Sequence, residues 1–257
     1  MMPQSTLSER LRRSELLLGP DVIQRMAEAR VIIFGVGGVG SWCAECLVRT
    51  GFRQLTIVDA DNVCVTNCNR QLMATAATIG EPKVEALRRR LLEINPDAQI
   101  LAIQAFYHRE TAHEFHLEAY DFIIDAIDSV ADKAALILQA TSLPRTTRFY
   151  SSLGAALRID PLAVRKAEFW NVKGDALARA LRTRFKKDKT FPSRKFTCVY
   201  SEEPARTNRG EDSTSASTTA EQGTFVPKSH VNGSLCPVTG TFGFVIAGLV
   251  IADVVNP

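Results

Sequence analysis

The stretch Val31–Ser41 constrains the fold of this chain more than any other. It begins with a short apolar run and continues as Gly-Val-Gly-Gly-Val-Gly-Ser, the pattern of a buried parallel strand, a tight turn and a helix start. Three glycines satisfy the spacing G-x-G-x-x-G, which allows a sharp turn and a close approach of the backbone to a phosphate at the helix N-terminus. The pattern predicts a nucleotide-binding turn, and a strand–helix junction without a ligand is the alternative. The candidate residues of the turn are Gly35, Gly37, Gly38, Gly40 and Ser41.

Strand and helix patterns alternate along the first part of the chain. This rhythm predicts an α/β fold with a doubly wound, Rossmann-like, mostly parallel sheet. After residue 145 the alternation weakens, so we expect an irregular C-terminal α+β portion. Residues 1–145 are therefore predicted to form a nucleotide-binding core with an N-terminal helix, and residues 146–257 a substrate-binding portion. Within that portion, residues 204–230 are rich in Ser, Thr, Glu and Gly and are predicted to be a mobile loop.

Composition and charge narrow the class of protein. The 257 residues are 46% hydrophobic and 23% charged, as in soluble globular proteins, and a net charge of +3 does not by itself indicate nucleic acid. Residues 1–30 do not resemble a secretory signal, so the 6 cysteines indicate reduced thiols in the cytoplasm. The apolar run Phe242–Val255 is too short to cross a bilayer unaided and is expected to be a buried helix. A longer C-terminal extension would allow membrane association.

Polar residues follow the predicted strands at the carboxyl edge of the sheet. Asp59 ends the second strand 24 positions after Gly35, where Rossmann-like sites bind a ribose hydroxyl. Arg70 and Lys83 supply cations for phosphates, and Asp128 supplies a carboxylate of the kind that Mg²⁺ takes together with phosphate oxygens. A nicotinamide cofactor does not need cations and Mg²⁺ around a triphosphate, so these residues favour ATP with Mg²⁺. The constellation is Asp59, Arg70, Gln71, Lys83 and Asp128, whereas Asp125 is expected to face the fold.

Several motifs, in this order, resemble the ubiquitin-activating-type adenylyltransferases, the superfamily of the ThiF, MoeB and HesA proteins. They are the glycine turn, Asp59-Ala-Asp61, Thr66-Asn67-Cys-Asn69-Arg70-Gln71, Gly80-Glu-Pro-Lys83, Ile94-Asn-Pro96 and Asp125-Ala-Ile-Asp128. The resemblance covers roughly residues 8–140 and implies that residues 1–145 bind ATP. It implies that Asp59 binds ribose and that Asp128 binds Mg²⁺. It assigns phosphate contacts to Asn67, Arg70 and Lys83, and the nucleotide-binding set then also includes Asp61, Gln71 and Ser129.

The same resemblance gives a role to an arginine near the N-terminus. Arg10-Leu-Arg-Arg13 lies where such enzymes carry an Arg-x-x-Arg whose second arginine enters the ATP site of the partner subunit. Arg13 is then supplied in trans, which implies a homodimer. From the sequence alone, a solvated helix charge is the simpler interpretation of Arg13. The catalytic set that the resemblance implies is Arg13, Arg70, Lys83 and Asp128.

The spacing of the cysteines helps to distinguish the branches of this superfamily. Sulfur-carrier activating enzymes generally hold a structural zinc through two Cys-x-x-Cys pairs in their second half. Here the only such pair is Cys43 and Cys46, expected to be small buried residues of the helix after the glycine turn. The second half offers only Cys198 and Cys236, far apart in sequence. An adenylyltransferase for a ubiquitin-like sulfur carrier is therefore the alternative function. It would need a carrier protein ending in Gly-Gly.

The second half instead resembles the tRNA threonylcarbamoyladenosine dehydratases of the TcdA/CsdL type. The resemblance implies ATP-dependent activation, as an adenylate, of the threonylcarbamoyl carboxylate at adenosine 37 of ANN-decoding tRNAs. Ring closure with loss of water then follows. The attacking atom belongs to the substrate, so a catalytic role of Cys198 is not expected. A sulfur-transfer or carrier protein is a possible second partner. A non-catalytic protein that senses nucleotides is a further alternative function. The matching segments are Arg13-Ser-Glu-Leu-Leu-Leu-Gly19, Gly40-Ser-Trp, Asp128-Ser129, Asp175-Ala-Leu-Ala-Arg179 and Val199-Tyr-Ser-Glu-Glu-Pro204.

A basic amphipathic helix is predicted over Asp175–Lys187, with Phe185, Phe191 and Phe196 interleaved among the cations. Phosphates attract such cations, and aromatic rings stack on unpaired bases of an RNA loop. A solvated charged helix is the alternative, and the family resemblance favours tRNA. The predicted tRNA-binding residues are Arg179, Arg182, Arg184, Lys186 and Lys187.

Overall fold

A seven-stranded sheet lies between two layers of helices. The computed structural model describes residues 5–210 and 232–257, so most of the predicted mobile loop 204–230 lies outside the described residues. The strands are β1 Arg30–Phe34, β2 Gln54–Val58, β3 Gln99–Ile103, β4 Phe122–Asp125, β5 Arg148–Ser152, β6 Val164–Glu168 and β7 Thr197–Ser201. The α-helices are α1 Ser5–Leu18, α2 Pro20–Glu28, α3 Gly40–Thr50, α4 Lys83–Ile94, α5 Val130–Ser142, α6 Ala176–Lys187 and α7 Cys236–Val255.

The strand order is β3-β2-β1-β4-β5-β7-β6, and only β6 runs antiparallel to its neighbour. Parallel neighbours need crossover connections, and the helices between the strands supply them. Val31 and Ile33 of β1 pack in one core, while Ile32 and Phe34 pack in the other. Because both faces are covered, the strand is an unbroken apolar run rather than an alternating one. The predicted doubly wound α/β sheet is confirmed.

Each face of the sheet has its own helical layer. The first core contains residues of α2, α3, α4 and α7, such as Met26, Leu47, Leu87 and Phe242. The second contains residues of α5 and α6, such as Leu181. Since β1 lies between β2 and β4, the strand order reverses beside it, and ligands bind at such a switch point at the carboxyl ends of the strands. The fold thus brings the glycine turn, the end of β2 and the end of β4 to one edge.

The second half of the chain is more regular than its sequence predicts. β5, β7 and β6 continue the same sheet, and β7 is a strand that the sequence analysis did not predict. It pairs with β5 on one side and with β6 on the other, so distant parts of the chain determine its conformation. One sheet therefore crosses residue 145, and the division into two functional portions there stays a prediction.

The last helix, α7, packs along α3. It is longer than the predicted segment, and 9 of its 20 residues are buried. A Cβ on Gly243 would lie 2.5 Å from the carbonyl oxygen of Val39 and 2.9 Å from the nitrogen of Cys43, so the two helix backbones approach closely. By length and composition α7 could span a membrane, but helices of soluble cores pass the same test and half of its most apolar window is buried here. The helix contributes to the core beside the glycine turn.

Candidate active site

The glycine turn joins β1 to α3 in a backbone conformation that needs glycine at two positions. Gly35 has a φ of +83°, and a Cβ on it would lie 2.7 Å from the carbonyl oxygen of Ala126. A Cβ on Gly40 would lie 1.9 Å from the carbonyl oxygen of Gly35. A Cβ on Gly37 would meet nothing closer than Gln71 Nε2, at 3.7 Å. The turn is thus tightly fitted at its two ends and open at Gly37, where a phosphate can approach the start of α3.

Ser41 and Gly38, also predicted for this turn, contact the protein itself. Ser41 is fully buried, and its hydroxyl donates to the carbonyl of Gly37 at 2.6 Å and accepts from the nitrogen of Leu72 at 3.3 Å. A Cβ on Gly38 would lie 3.2 Å from the side chain of Thr239 in α7. Ser41 therefore braces the turn, and a direct contact between its hydroxyl and a ligand stays a prediction.

The structure brings Asp59, Asp61 and Lys83 together as predicted. Asp59 Oδ2 accepts from the backbone nitrogen of Val36 at 2.9 Å, so the end of β2 is tied to the glycine turn. Lys83 Nζ lies 2.7 Å from Asp61 Oδ2 and 3.7 Å from Asp59 Oδ1. Burial raises the pKa of Asp59, and the nearby Lys83 ammonium opposes this rise. Each carboxylate oxygen has two lone pairs, so Asp59 still has capacity for ribose hydroxyls.

The loop that carries Arg70 and Gln71 lies beside the turn. Trp42 Nε1 of α3 donates to the carbonyl of Arg70 at 3.0 Å, and Asn67 Oδ1 accepts from the backbone of Cys64, which fixes the loop. Burial lowers the pKa of Arg70, and the opposing charge of Asp128 limits the fall, so these two predicted site residues interact.

Gln71 gives a test of whether a ligand fits here. Its Oε1 is buried and has no hydrogen-bond partner among residues 5–210 and 232–257, although buried polar atoms are normally paired. Its Nε2 lies close to Gly37, at the open part of the turn. The unpaired acceptor suits a hydrogen-bond donor on a ligand, such as a hydroxyl or an amino group. The open glycine turn, Lys83 and Arg70 suit an anionic group, and a nucleotide offers both.

A buried ion pair supports the loop that presents Asp128, and the sequence analysis missed half of it. Lys133 is fully buried, with Nζ 2.9 Å from Asp125 Oδ2 and 3.0 Å from the carbonyl oxygen of Ile127. Asp125 Oδ2 also accepts from Ser151 Oγ at 2.7 Å, and Oδ1 accepts from the nitrogen of Ile127 at 3.1 Å. Asp125 faces the fold, as expected, and burial raises its pKa while Lys133 opposes the rise. The pair fixes the turn immediately before the exposed Asp128.

One feature of the sequence indicates this buried pair, a lysine within an otherwise apolar helix. Lys133 lies five positions after Asp128 in the first turns of α5, among residues that otherwise pack in the core. A lysine buried there requires an acidic partner, and Asp125 at the end of β4 is a fully buried aspartate, whereas the nearer Asp128 is exposed. Ser129 occupies the N-cap position of the same helix, and its carbonyl accepts the first helical hydrogen bond, from the nitrogen of Lys133.

Arg13 lies on the exposed face of α1. Leu16 and Leu17, in the next turn, are 68% and 82% exposed. Large apolar side chains that stand together on a surface helix are typical of an interaction surface. The structure thus leaves Arg13 beside an exposed apolar patch, and contact with a partner's ATP site stays a prediction.

The basic helix α6 presents only part of the predicted tRNA-binding set. Arg179, Arg184, Lys186 and Lys187 are exposed. The guanidinium of Arg182 instead donates to the carbonyls of Phe169 and Val172 and lies 5.2 Å from the centroid of the Phe169 ring. Its charge is used inside the protein, so Arg182 is a poor candidate for an RNA contact.

The prediction about the interleaved aromatic residues was wrong for two of three. Phe185 and Phe196 are 1% and 6% exposed and belong to the core under the sheet. Phe185 lies on the buried face of α6, and Phe196 comes immediately before β7. Phe191 is 52% exposed and stays available to a base.

The buried thiols of Cys43 and Cys198 do not suit nucleophilic catalysis. Cys198 is fully buried in β7, and burial raises the pKa of its thiol well above the usual value. A buried neutral thiol is a poor nucleophile. Cys43 is fully buried and Cys46 partly buried, as expected for small residues of α3.

The sequence of this chain is similar to those of known proteins. The model of the ThiF family matches residues 10–256. The chain is 35% identical to a tRNA threonylcarbamoyladenosine dehydratase of Haemophilus influenzae over 240 residues, 91% of this chain and 89% of the relative. It is also 35% identical to the enzyme of the same name from Escherichia coli, over 89% of this chain and 87% of the relative.

Solved structures agree with the sequence relatives. The crystal structure of the E. coli dehydratase, TcdA, in complex with ATP superposes with a TM-score of 0.82 at 30% identity, covering 99% of this chain and 97% of that one. Its complex with AMP gives the same TM-score at 31% identity. The E. coli molybdopterin-synthase adenylyltransferase is 34% identical over only 108 residues, 42% of this chain and 43% of the relative.

Proposed function

The chain belongs to the ThiF family, and we propose that it is an ATP-dependent tRNA threonylcarbamoyladenosine dehydratase. The observation that carries the proposal is the match of nearly the whole chain to a dehydratase of that name solved with ATP. Two bacterial relatives of the same name, each 35% identical along most of the chain, support it. The site supports it as well, because an open glycine turn, two cations and an exposed carboxylate converge at one edge of the sheet.

The chemistry has two steps. The threonylcarbamoyl carboxylate is a poor acceptor for ring closure because the leaving group would be hydroxide. Attack of this carboxylate on the α-phosphate of ATP forms a mixed anhydride and releases pyrophosphate. An atom of the same threonylcarbamoyl group then attacks the activated carbonyl, the ring closes and AMP leaves. The net change in the nucleoside is the loss of one water, and the protein's task is to orient the groups and stabilise developing charge.

The residues at the carboxyl edge divide this work. Arg70 and Lys83 would face the phosphates, and Lys83 is held in place by Asp61 at 2.7 Å. Asp59, tied to the glycine turn, would accept ribose hydroxyls. Mg²⁺, held by Asp128 and phosphate oxygens, would stabilise the negative charge that develops on the departing pyrophosphate. Lys133 and Asp125 would keep Asp128 in position, since they fix the residue before it.

A homodimer is part of the proposal. Arg13 is exposed and has Leu16 and Leu17 beside it, so a second copy of α1 could bury that apolar patch and carry Arg13 towards the neighbouring site. The test mixes Arg13→Ala and Asp128→Ala subunits, each inactive alone. If Arg13 acts in trans, a mixed dimer keeps one complete site, and mixing restores activity. Mixed dimers without any recovered activity would contradict the assignment.

The tRNA is proposed to bind along α6. Arg179, Arg184, Lys186 and Lys187 supply exposed positive charge. Arg182 is left out because its guanidinium is bonded to backbone carbonyls. We also propose that the protein works in the cytoplasm, where its substrate is found, and membrane association through a C-terminal extension stays a prediction. The role of a sulfur-transfer or carrier protein as a partner stays a prediction too.

Adenylation of a ubiquitin-like sulfur carrier is the second candidate. The observation that favours it is the local similarity to the E. coli molybdopterin-synthase adenylyltransferase, but this covers only 42% of the chain. Exchange of labelled pyrophosphate into ATP separates the two functions, because it requires a carboxylate that can be adenylated. We expect exchange with tRNA that carries threonylcarbamoyladenosine and none with unmodified tRNA. Exchange only with a carrier protein ending in Gly-Gly would support the second candidate instead.

A further inference from the structure

A groove of about 560 Å³ runs along α6 beside Val130, the first residue of α5. One end is formed by Val130 and Ala176, the first residues of the two helices, and the other by Lys187 and Asp188 at the end of α6. Val130 follows Asp128 by two positions, so the groove opens beside the candidate active site. Both helix N-termini lie at the carboxyl edge of the sheet, where the ATP site is proposed.

The residues of α6 that line the groove form two rows. Arg179, Thr183 and Lys187 are spaced by four positions and make one row, while Ala176 and Ala180 begin the next. Side chains four apart lie on the same stripe of a helix. The alanines and Val130 therefore make a shallow apolar strip, and the cations stand along it.

The charge of the groove is predominantly positive. No acidic side chain among residues 5–210 and 232–257 forms an ion pair with Arg179 or Lys187. Arg184 lies 3.3 Å from Asp188, at the end away from Asp128. From Arg179 to Lys187 the row extends for about 12 Å along the helix, which is long enough for more than one nucleotide.

We propose that this groove binds single-stranded RNA, namely the strand of the tRNA loop next to the modified nucleotide. The proposal rests on the function proposed above and adds where the loop lies. Phosphates contact Arg179 and Lys187, a base covers the apolar strip of Ala180 and Val130, and the strand leads to Asp128. Proteins bind unpaired nucleic acid through a positively charged groove that also offers a surface for the bases, usually aromatic rings. Here Ala180 and Val130 supply that surface, which an acidic protein segment would not need.

The test fills the groove without changing its charge. Thr183→Phe and Ala180→Phe each place a ring in it; Thr183 is exposed, so its variant folds even if the ring at Ala180 disturbs α6. The control is Leu92→Phe in a groove of about 450 Å³ on α4, where Arg88 and Arg89 are balanced by Glu85 and Glu93. The probe is a synthetic anticodon stem-loop that carries threonylcarbamoyladenosine, and AMP binding reports on the nucleotide site.

We expect Thr183→Phe to weaken stem-loop binding about tenfold or more, roughly the effect of losing one stacked base. AMP affinity should be unchanged, and Leu92→Phe should bind the stem-loop like the parent. Replacing both Arg179 and Lys187 by Gln should also reduce the salt dependence of stem-loop binding. The slope of log K against log salt concentration should become shallower by about 1.4, because each phosphate contact on a single strand contributes about 0.7.

Three outcomes would overturn the proposal in distinguishable ways. Unchanged stem-loop binding in Thr183→Phe, while the parent protein binds and dehydrates the RNA, would refute the groove and leave the proposed function intact. A parent protein that neither binds the stem-loop nor converts it would refute the proposed function itself. Loss of binding to a carrier protein ending in Gly-Gly, with RNA binding unchanged, would assign the groove to a protein partner.

Discussion

Replacement of Lys133 by Met tests whether the buried pair below Asp128 stabilises the site. Lys133 and Asp125 are both fully buried, 2.9 Å apart. In Lys133→Met, Asp125 loses its charge partner and keeps only the hydrogen bonds from Ser151 and Ile127. Removing one partner of a buried pair costs about 3–5 kcal/mol of unfolding free energy, and the two remaining hydrogen bonds favour the lower part of that range.

The double variant Asp125→Asn/Lys133→Met is the control, because it removes the isolated charge. A neutral replacement of a whole buried pair is often tolerated, so the double variant should be more stable than Lys133→Met, with a coupling of about 2 kcal/mol or more. Urea unfolding followed by circular dichroism measures the stability of the parent protein, Lys133→Met, Asp125→Asn and the double variant, which together give the coupling. Additive effects of the two substitutions would refute the argument.

The pH dependence gives a second check on Lys133→Met. Burial raises the pKa of Asp125, and loss of Lys133 removes the main influence that opposes this rise. The folded variant then binds more protons than the unfolded chain above the ordinary pKa of Asp, so its stability falls as pH rises through that region. The difference from the parent protein should be smaller at pH 5 than at pH 8. An equal difference at both pH values would contradict this account.

Three further predictions address the packing of α7, the turn and α6. Gly243→Ala should cost about 1–3 kcal/mol in thermal unfolding because its Cβ would lie 2.5 Å from a backbone oxygen, whereas Gly248→Ala, with no atom within 4 Å, should stabilise α7 slightly. Gly37→Ala should weaken AMP binding about tenfold in calorimetry at an unchanged melting temperature, since its Cβ fits the protein but occupies the expected phosphate position; unchanged affinity would contradict this. Arg182→Gln should lower stability by about 1–3 kcal/mol and leave the salt dependence of RNA binding unchanged, the opposite of Arg179→Gln.

The sequence predicted the first half of the fold well because its signals are local. The apolar run of β1, the glycine turn and Asp59 at the end of β2 each determine their own surroundings, and they met at the predicted edge. The motif order also indicated the family, which the comparisons confirmed.

What the sequence did not predict depends on contacts between distant residues. β7 is a strand because β5 and β6 flank it, and nothing in its own five residues required this. Arg182 and Phe185 look like surface residues of a basic helix, yet the loop at Phe169 covers both. Lys133 stands among apolar residues of α5, which indicates burial, but only the fold shows that its partner is Asp125 rather than the nearer Asp128 or Asp132. Charge and aromatic content of a helix predict its chemistry only once its buried face is known.

Mass spectrometry of nucleosides tests the central claim most directly. tRNA that carries threonylcarbamoyladenosine is incubated with the protein, ATP and Mg²⁺, and its nucleosides are analysed. We predict loss of one water from the modified nucleoside, dependent on ATP, abolished in Asp128→Ala and retained in Asp132→Ala, a control carboxylate in the first turn of α5. An unchanged nucleoside mass, with ATP consumed only when a carrier protein ending in Gly-Gly is added, would contradict the account.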